Sequence, residues 1–166
     1  GLFCLVAARA AGIKEILVSD IAERRLAVAR AWGATATVNA RDDVPAAIQA
    51  FAPGGADAAI DAVGMNITRE QAVHAVVPGG RGVYIGLHEE ASPLAANYLV
   101  RQEIELIGSF AYTPADFPRA LELLAAGAIP LDGDWLEERP LAAGPASFEE
   151  LLAGSTRAAK IVLKVE

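Results

Sequence analysis

Two periods of apolar spacing alternate along this chain, and they predict its elements. Glu15-Ile16-Leu17-Val18-Ser19-Asp20 is a short apolar run ending in a carboxylate, the pattern of a strand buried on both faces. It is preceded by Leu2–Ala11, an Ala- and Leu-rich helix stopped by Gly12. It is followed by a helix over Ala22–Trp32, with Leu26, Ala29 and Ala31 expected inward and Arg24, Arg25 and Arg30 outward. Thr35–Val38 reads as a strand. Val44–Phe51 reads as a helix, opened by Asp42 and Asp43 at its positive end and carrying Pro45 in its first turn. Further on, the spacing predicts a strand in Ala56–Val63 running into Gly64, a helix over Thr68–Val76, a turn at Pro78-Gly79-Gly80 and a strand over Gly82–Gly86. A short helix around Asn97–Arg101, a strand over Ile104–Phe110 and an amphipathic helix over Pro114–Ala126, stopped by Gly127, complete the series.

Strands alternating with helices of about ten residues mark βαβ units. The expected fold is therefore α/β, a doubly wound parallel sheet with helices on both faces. Ligands in such sheets sit at the carboxyl ends of strands. That directs attention to Asp20, Val63-Gly64, Gly86-Leu87-His88 and Ser109-Phe110. After Ile129 the rhythm breaks at Pro130, Gly133, Pro140, Gly144 and Pro145; a short helix over Ser147–Ala153 and an alternating strand over Lys160–Val165 follow. This tail reads as part of another domain or as an antiparallel addition.

Composition narrows the function. The 166 residues are 54% hydrophobic with a net charge of −7, which supplies a core and argues against a nucleic-acid surface. No apolar run approaches the roughly 18 residues of a membrane span. One cysteine, Cys4, excludes an internal disulfide and a Cys-rich zinc site. Nothing suggests an oxidising compartment, and a cytoplasmic location is expected.

Several segments, in order, resemble the cofactor domain of the medium-chain, zinc-type alcohol and polyol dehydrogenases. They are Gly1-Leu2, Ala7–Gly12, Val18-Ser19-Asp20, Arg24–Ala27, Ala31–Ala34, Asp57–Gly64, Pro78–Arg81, Ile85-Gly86 and Ala159–Leu163. The secondary-alcohol and polyol branch is the most similar. The resemblance implies a Rossmann-type domain over residues 1–128. Residues 129–166 would belong to an otherwise absent catalytic domain. Gly1 resembles the last glycine of the family's G-x-G-x-x-G turn, so the first strand and the zinc ligands would lie upstream. A gap, or a strand from elsewhere, is expected beside Ile16–Asp20. A homodimer or homotetramer joined through the Ile104–Phe110 edge strand is also implied.

Asp20 stands close to the roughly 20-residue spacing between the glycine turn and a ribose-binding acid. A carboxylate there accepts from both ribose hydroxyls and repels a 2′-phosphate, which favours NAD over NADP and separates the chain from the zinc-independent reductases that usually prefer NADP. Ile21-Ala22-Glu23 offers no adjacent arginine for such a phosphate. The alternative role of Asp20 is a turn or helix cap. Arg25 can cover the adenine or reach a ribose hydroxyl, or it is a solvated helix charge. Gly1 and Leu2 open a helix whose free N–H groups suit a pyrophosphate. Val63, Gly64, Gly86 and Leu87 would line the cofactor's path, although each glycine can equally serve only a turn. Ser109 and Phe110 would lie near the nicotinamide. Lys160 resembles a position that contacts the cofactor phosphates, with an exposed strand lysine as the equal alternative. His88, His74 and Cys4 are given no catalytic role, and Asp57 and Asp61 are read as turn and strand-end residues.

The resulting expectation is the NAD-binding part of a zinc-dependent oxidoreductase acting on a secondary alcohol or polyol, inactive by itself. Zinc is implied for the full-length enzyme, with no ligands here. An S-adenosylmethionine-dependent methyltransferase and a non-catalytic nucleotide-binding module remain open alternatives.

Overall fold

A computed structural model describes residues 1–131 and 133–165. Helix α1 (Leu2–Ala10) buries Leu5 and Val6, and the chain leaves it through Gly12 at φ +88°, a left-handed conformation that glycine adopts without strain. Strands β1 (Leu17–Asp20) and β2 (Ala36–Asn39) pair in parallel, with Asp20 opposite Asn39. Helix α2 (Glu23–Ala31) connects them and packs on both, as well as on α1. Leu26 and Ala29 are buried as expected. Ala31 is exposed, and Trp32 takes the inward place instead, because positions three apart share a helix face while positions two apart do not.

Helix α3 (Val44–Phe51) crosses from β2 toward the next strand and packs against β1 and β2. Its start is set as the sequence suggests: Asp43 Oδ1 accepts the Ala46 N–H at 3.0 Å, and Pro45 lies in the first turn. A second parallel sheet contains β3 (Ala56–Asp61), β4 (Val76–Tyr84) and β5 (Glu105–Gly108), in that order. Helix α4 (Asn66–His74) covers β3 and β4, and the short α5 (Ala96–Gln102) packs on β4. α4 begins and ends two residues before the expected helix; the Met65 N–H donates to Thr68 Oγ1 at 3.2 Å and fixes its first turn. Pro78-Gly79-Gly80 is not a free turn but an irregularity within β4, where pairing jumps from Ala56↔Val76 to Ala58↔Arg81. Asp57 lies in β3 at that irregularity rather than in a turn.

Within the described residues, β1 pairs only with β2, and β3 pairs only with β4. Beside β3, Ile60 and Val63 are about half exposed.

Helix α6 (Asp116–Ala125) has no buried residue. Beyond it the tail departs from expectation. A strand not anticipated from the sequence, β6 (Leu136–Pro140), pairs with β7 (Lys160–Lys164), and the pairing is parallel, not antiparallel. The 3-10 turn Leu141–Ala143 and helix α7 (Gly144–Ala153) form the crossover that parallel pairing requires. The tail is tied to the first half by one core, in which Leu5, Val6, Ala29 and Trp32 meet Trp135. Trp135 lies edge-on to Trp32 at 4.9 Å between ring centroids and edge-on to Phe3 at 6.3 Å, and its indole N–H donates to the Pro130 carbonyl at 2.7 Å. Each such aromatic pair adds about 0.5–1.5 kcal/mol beyond the area it buries. Arg24 Nη1, donating to the Gly154 carbonyl at 2.9 Å, closes the same seam between α2 and the end of α7.

Candidate functional site

The parallel pairings bring the carboxyl ends of β1 and β2 to one edge, and those of β3, β4 and β5 to another. Asp20 ends β1. Its Oδ1 accepts the Ala22 N–H at 2.9 Å and lies 3.6 Å from Arg25 Nη1, whereas no hydrogen bond to Oδ2 is found among the described residues. One oxygen thus orders the turn into α2. Arg25 is half exposed beside it. A second arginine reaches this turn from further along the chain. Arg41 Nη1 donates to the Ile21 carbonyl at 2.6 Å. Ile21 itself is exposed. No periodicity or spacing signals Arg41 in the sequence, since only the pairing of β1 with β2 brings it there.

At the other edge the loops after β3 and β4 are laced together. Ile85 and Gly86 N–H groups donate to the Asp61 carbonyl at 2.9 and 3.1 Å, and Glu89 N–H donates to the Gly64 carbonyl at 2.8 Å. A Cβ on Gly64 would overlap the backbone at Gly86, and one on Gly86 would overlap Val63 and Gly64; Gly64 also has φ +87°. Both glycines are explained by this mutual approach. Leu87 and Val63 are exposed.

Asp61 is 3% exposed and uses both carboxylate oxygens on backbone: Oδ1 accepts from Val63 N–H at 3.0 Å, and Oδ2 from Gly64 N–H at 2.9 Å. It is the strand-end hydrogen-bonding group that its position suggested. Arg69, also missed in the sequence, spans these loops. It donates to Ser92 Oγ at 2.5 Å and to the Gly86 carbonyl at 3.2 Å, and its Nε lies 3.9 Å from Asp61 Oδ2. The Tyr84 hydroxyl donates to the Arg69 carbonyl at 2.9 Å. Burial pushes the Tyr84 phenol above its usual value, the Asp61 charge adds to this, and Arg69 opposes it.

Ser109 and Phe110 follow β5, both exposed, with the Ser109 N–H donating to the Tyr84 carbonyl at 2.9 Å. Gly1 caps α1 and is exposed, and Leu2 is half-buried. Lys160 opens β7 in the separate two-stranded sheet and is exposed. His88 is exposed, and His74 packs its ring on Tyr98 at 4.3 Å between centroids. A cleft of about 460 Å³ between α3 and α4, lined by residues such as Ile48, Ile67 and His74, touches none of the expected cofactor residues.

A family model described as zinc-binding dehydrogenase matches residues 1–126. The chain belongs to that family. Among curated relatives it is 31% identical over 135 residues to L-idonate 5-dehydrogenase of Vitis vinifera, covering 78% of this chain and 37% of that one. It is likewise 31% identical over 132 residues to sorbitol dehydrogenase of Bacillus subtilis, again covering 78% and 37%. Among solved structures, benzyl alcohol dehydrogenase from Acinetobacter calcoaceticus superposes with a TM-score of 0.88 at 26% identity, covering all of this chain and 47% of that one. The zinc-binding dehydrogenases it matches are thus alcohol and polyol dehydrogenases, and the chain spans less than half of their length. Their parallel-stranded, Rossmann-type cofactor domain is the fold seen here. The metal itself does not fit this portion: among the described residues no group of three or more His, Cys, Asp or Glu is placed to hold an ion. No helix among them is long and apolar enough to cross a membrane.

Proposed function

We propose that this chain is the dinucleotide platform of an NAD-dependent, zinc-type alcohol or polyol dehydrogenase. The observation that carries the reading is the Asp20 carboxylate at the tip of β1, with Oδ1 committed to the turn and Oδ2 open. A carboxylate so placed accepts ribose hydroxyls and repels a 2′-phosphate. Bound NAD would supply the chemistry of accepting a hydride from an alcohol carbon. The chain's own part is to bind and orient it. Asp20, with Ile21 and Arg25 beside it, takes the adenosine ribose; the free N–H groups at Gly1 and Leu2 face the pyrophosphate; Val63, Gly64, Gly86 and Leu87 form the wall of the path; Ser109 and Phe110 lie toward the nicotinamide. Lys160 would approach the phosphates from the second sheet.

Residues 129–166 are read as a piece of the catalytic domain. Phe148 and Leu152 of α7, both exposed here, face that domain in this reading. The edge of β5 away from β4, with exposed Ile107 and Phe110 beside it, pairs with its twin in a dimer. Without zinc ligands the chain by itself turns over no alcohol.

Calorimetric titration with NAD, NADP and S-adenosylmethionine tests the reading. NAD should bind more tightly than NADP, Asp20→Ala should erase that preference, and no NADH should form with any alcohol. Tighter binding of S-adenosylmethionine, or a nucleotide preference indifferent to Asp20, overturns it.

A further inference from the structure

The peptide joining Ile21 to Ala22 is held at both ends. Its N–H donates to Asp20 Oδ1 at 2.9 Å, and its carbonyl accepts from Arg41 Nη1 at 2.6 Å. Arg41 is in turn fixed to the end of β2: the Ala40 N–H donates to the Asp20 carbonyl at 3.0 Å, the Arg41 N–H to Asn39 Oδ1 at 3.0 Å, and the Asp42 N–H to the Asn39 carbonyl at 2.9 Å. Asn39 Nδ2 also donates to Glu23 Oε1 at 2.6 Å, which ties the first turn of α2 into the same arrangement.

An exposed peptide in a turn can rotate about its flanking dihedrals, and rotation here would turn the N–H away from Asp20. A guanidinium on the carbonyl opposes that rotation. It also polarises the peptide, making the N–H at its other end a stronger donor. The result bears on the Asp20 carboxylate, two hydrogen bonds away from the guanidinium. With Oδ1 anchored, the side chain is held in one orientation, and Oδ2 is left for a ligand.

We propose that Arg41 is a positioning residue for nucleotide choice: through the Ile21–Ala22 peptide it orients Asp20 to accept an unphosphorylated ribose. This rests on the reading of Asp20 as the ribose acid. It also differs in sign from the simpler idea that a nearby arginine serves to bind a 2′-phosphate. If Arg41 acts through Asp20, its removal weakens NAD and spares NADP. If it acts as a phosphate ligand, its removal weakens NADP first.

The test compares the wild-type chain with Arg41→Met, Arg41→Lys, Asp20→Ala and the Asp20→Ala/Arg41→Met double variant. Two readouts are used: titration with NAD and NADP, and hydrogen exchange at the Ala22 amide by NMR without nucleotide. Arg41→Met should weaken NAD about tenfold, the order expected for losing a charge-assisted hydrogen bond, and narrow the NAD-to-NADP ratio by a similar factor. Arg41→Lys, which keeps a donor, should recover most of it. In the Asp20→Ala background the Arg41 change should have no further effect on the ratio. The Ala22 amide should exchange faster in Arg41→Met and in Asp20→Ala, and near the wild-type rate in Arg41→Lys. An unchanged ratio, a preferential loss of NADP, an effect that persists without Asp20, or an Ala22 amide indifferent to Arg41 overturns the proposal. If Asp20→Ala leaves nucleotide binding untouched, the dinucleotide reading itself fails, and the amide measurement still decides whether Arg41 orders Asp20.

Discussion

Gly64 and Gly86 meet backbone to backbone, so the loops after β3 and β4 form one unit rather than two turns. Neither position has room for a methyl group, and Gly64 adds a φ of +87° that an L side chain adopts only with strain. Alanine at either position should destabilise the chain by about 1–3 kcal/mol, the range for overpacking and for a strained backbone. Urea unfolding measures this. The double alanine variant should be no better than the worse single one, because each new methyl meets main chain that cannot retreat. A cost within about 0.5 kcal/mol, as for an ordinary surface site, would show that the loops separate easily.

Tyr84 gives the same region a dependence on alkaline pH. Its phenol is held above its usual value by burial and by Asp61, so the fold favours the neutral form. That contribution is complete below the ordinary tyrosine value and is lost as pH rises through the raised one. Tyr84→Phe removes the hydrogen bond to the Arg69 carbonyl and should cost about 1 kcal/mol near neutrality. Its deficit relative to wild type should shrink above about pH 10. Urea midpoints for both proteins across that range decide the matter, and a constant difference would exclude the titration.

A clasp in the tail depends on acid pH instead. Arg139 pairs with Glu137 at 2.8 Å and Glu150 at 2.7 Å and donates to Ser147 Oγ at 3.1 Å, joining β6 to α7. The hydrogen bonds from Arg139 hold the Glu137 carboxyl below its usual value. The associated stability is present above the ordinary glutamate range and is lost as pH falls through the lowered value. Glu137→Gln should therefore be less stable than wild type near neutrality, with the two curves converging in acid. Thermal melts between about pH 6 and pH 3 would record the convergence.

Local periodicity made the first half of the fold legible. Ile16–Asp20, Ala22–Trp32 and Ala56–Val63 each carry their own burial pattern, and alternation of strand with helix then implies parallel pairing. β6 was not legible. Pro130 and Gly133 precede it, Pro140 is its last residue, and its Glu137-Glu138-Arg139 run looks solvated. Those charges make sense only once their partners arrive, such as Lys164 Nζ, 2.5 Å from Glu138 Oε2 across the strand pair. The candidate site divides in the same way. Asp20 announces itself as an acid at the end of an apolar run. Arg41 and Arg69 act through chain folding that no local pattern records, and the pairing of Gly64 with Gly86 is visible only when both loops are in place.

The chain's two tryptophans, Trp32 and Trp135, stand against one another in the seam between the first half and the tail. Intrinsic indole fluorescence therefore reports on that seam alone. A loosening of the tail would alter the emission while the strand-end loops stayed intact. A nucleotide settling near Asp20 could leave the spectrum unmoved, so following it optically calls for a tryptophan placed elsewhere.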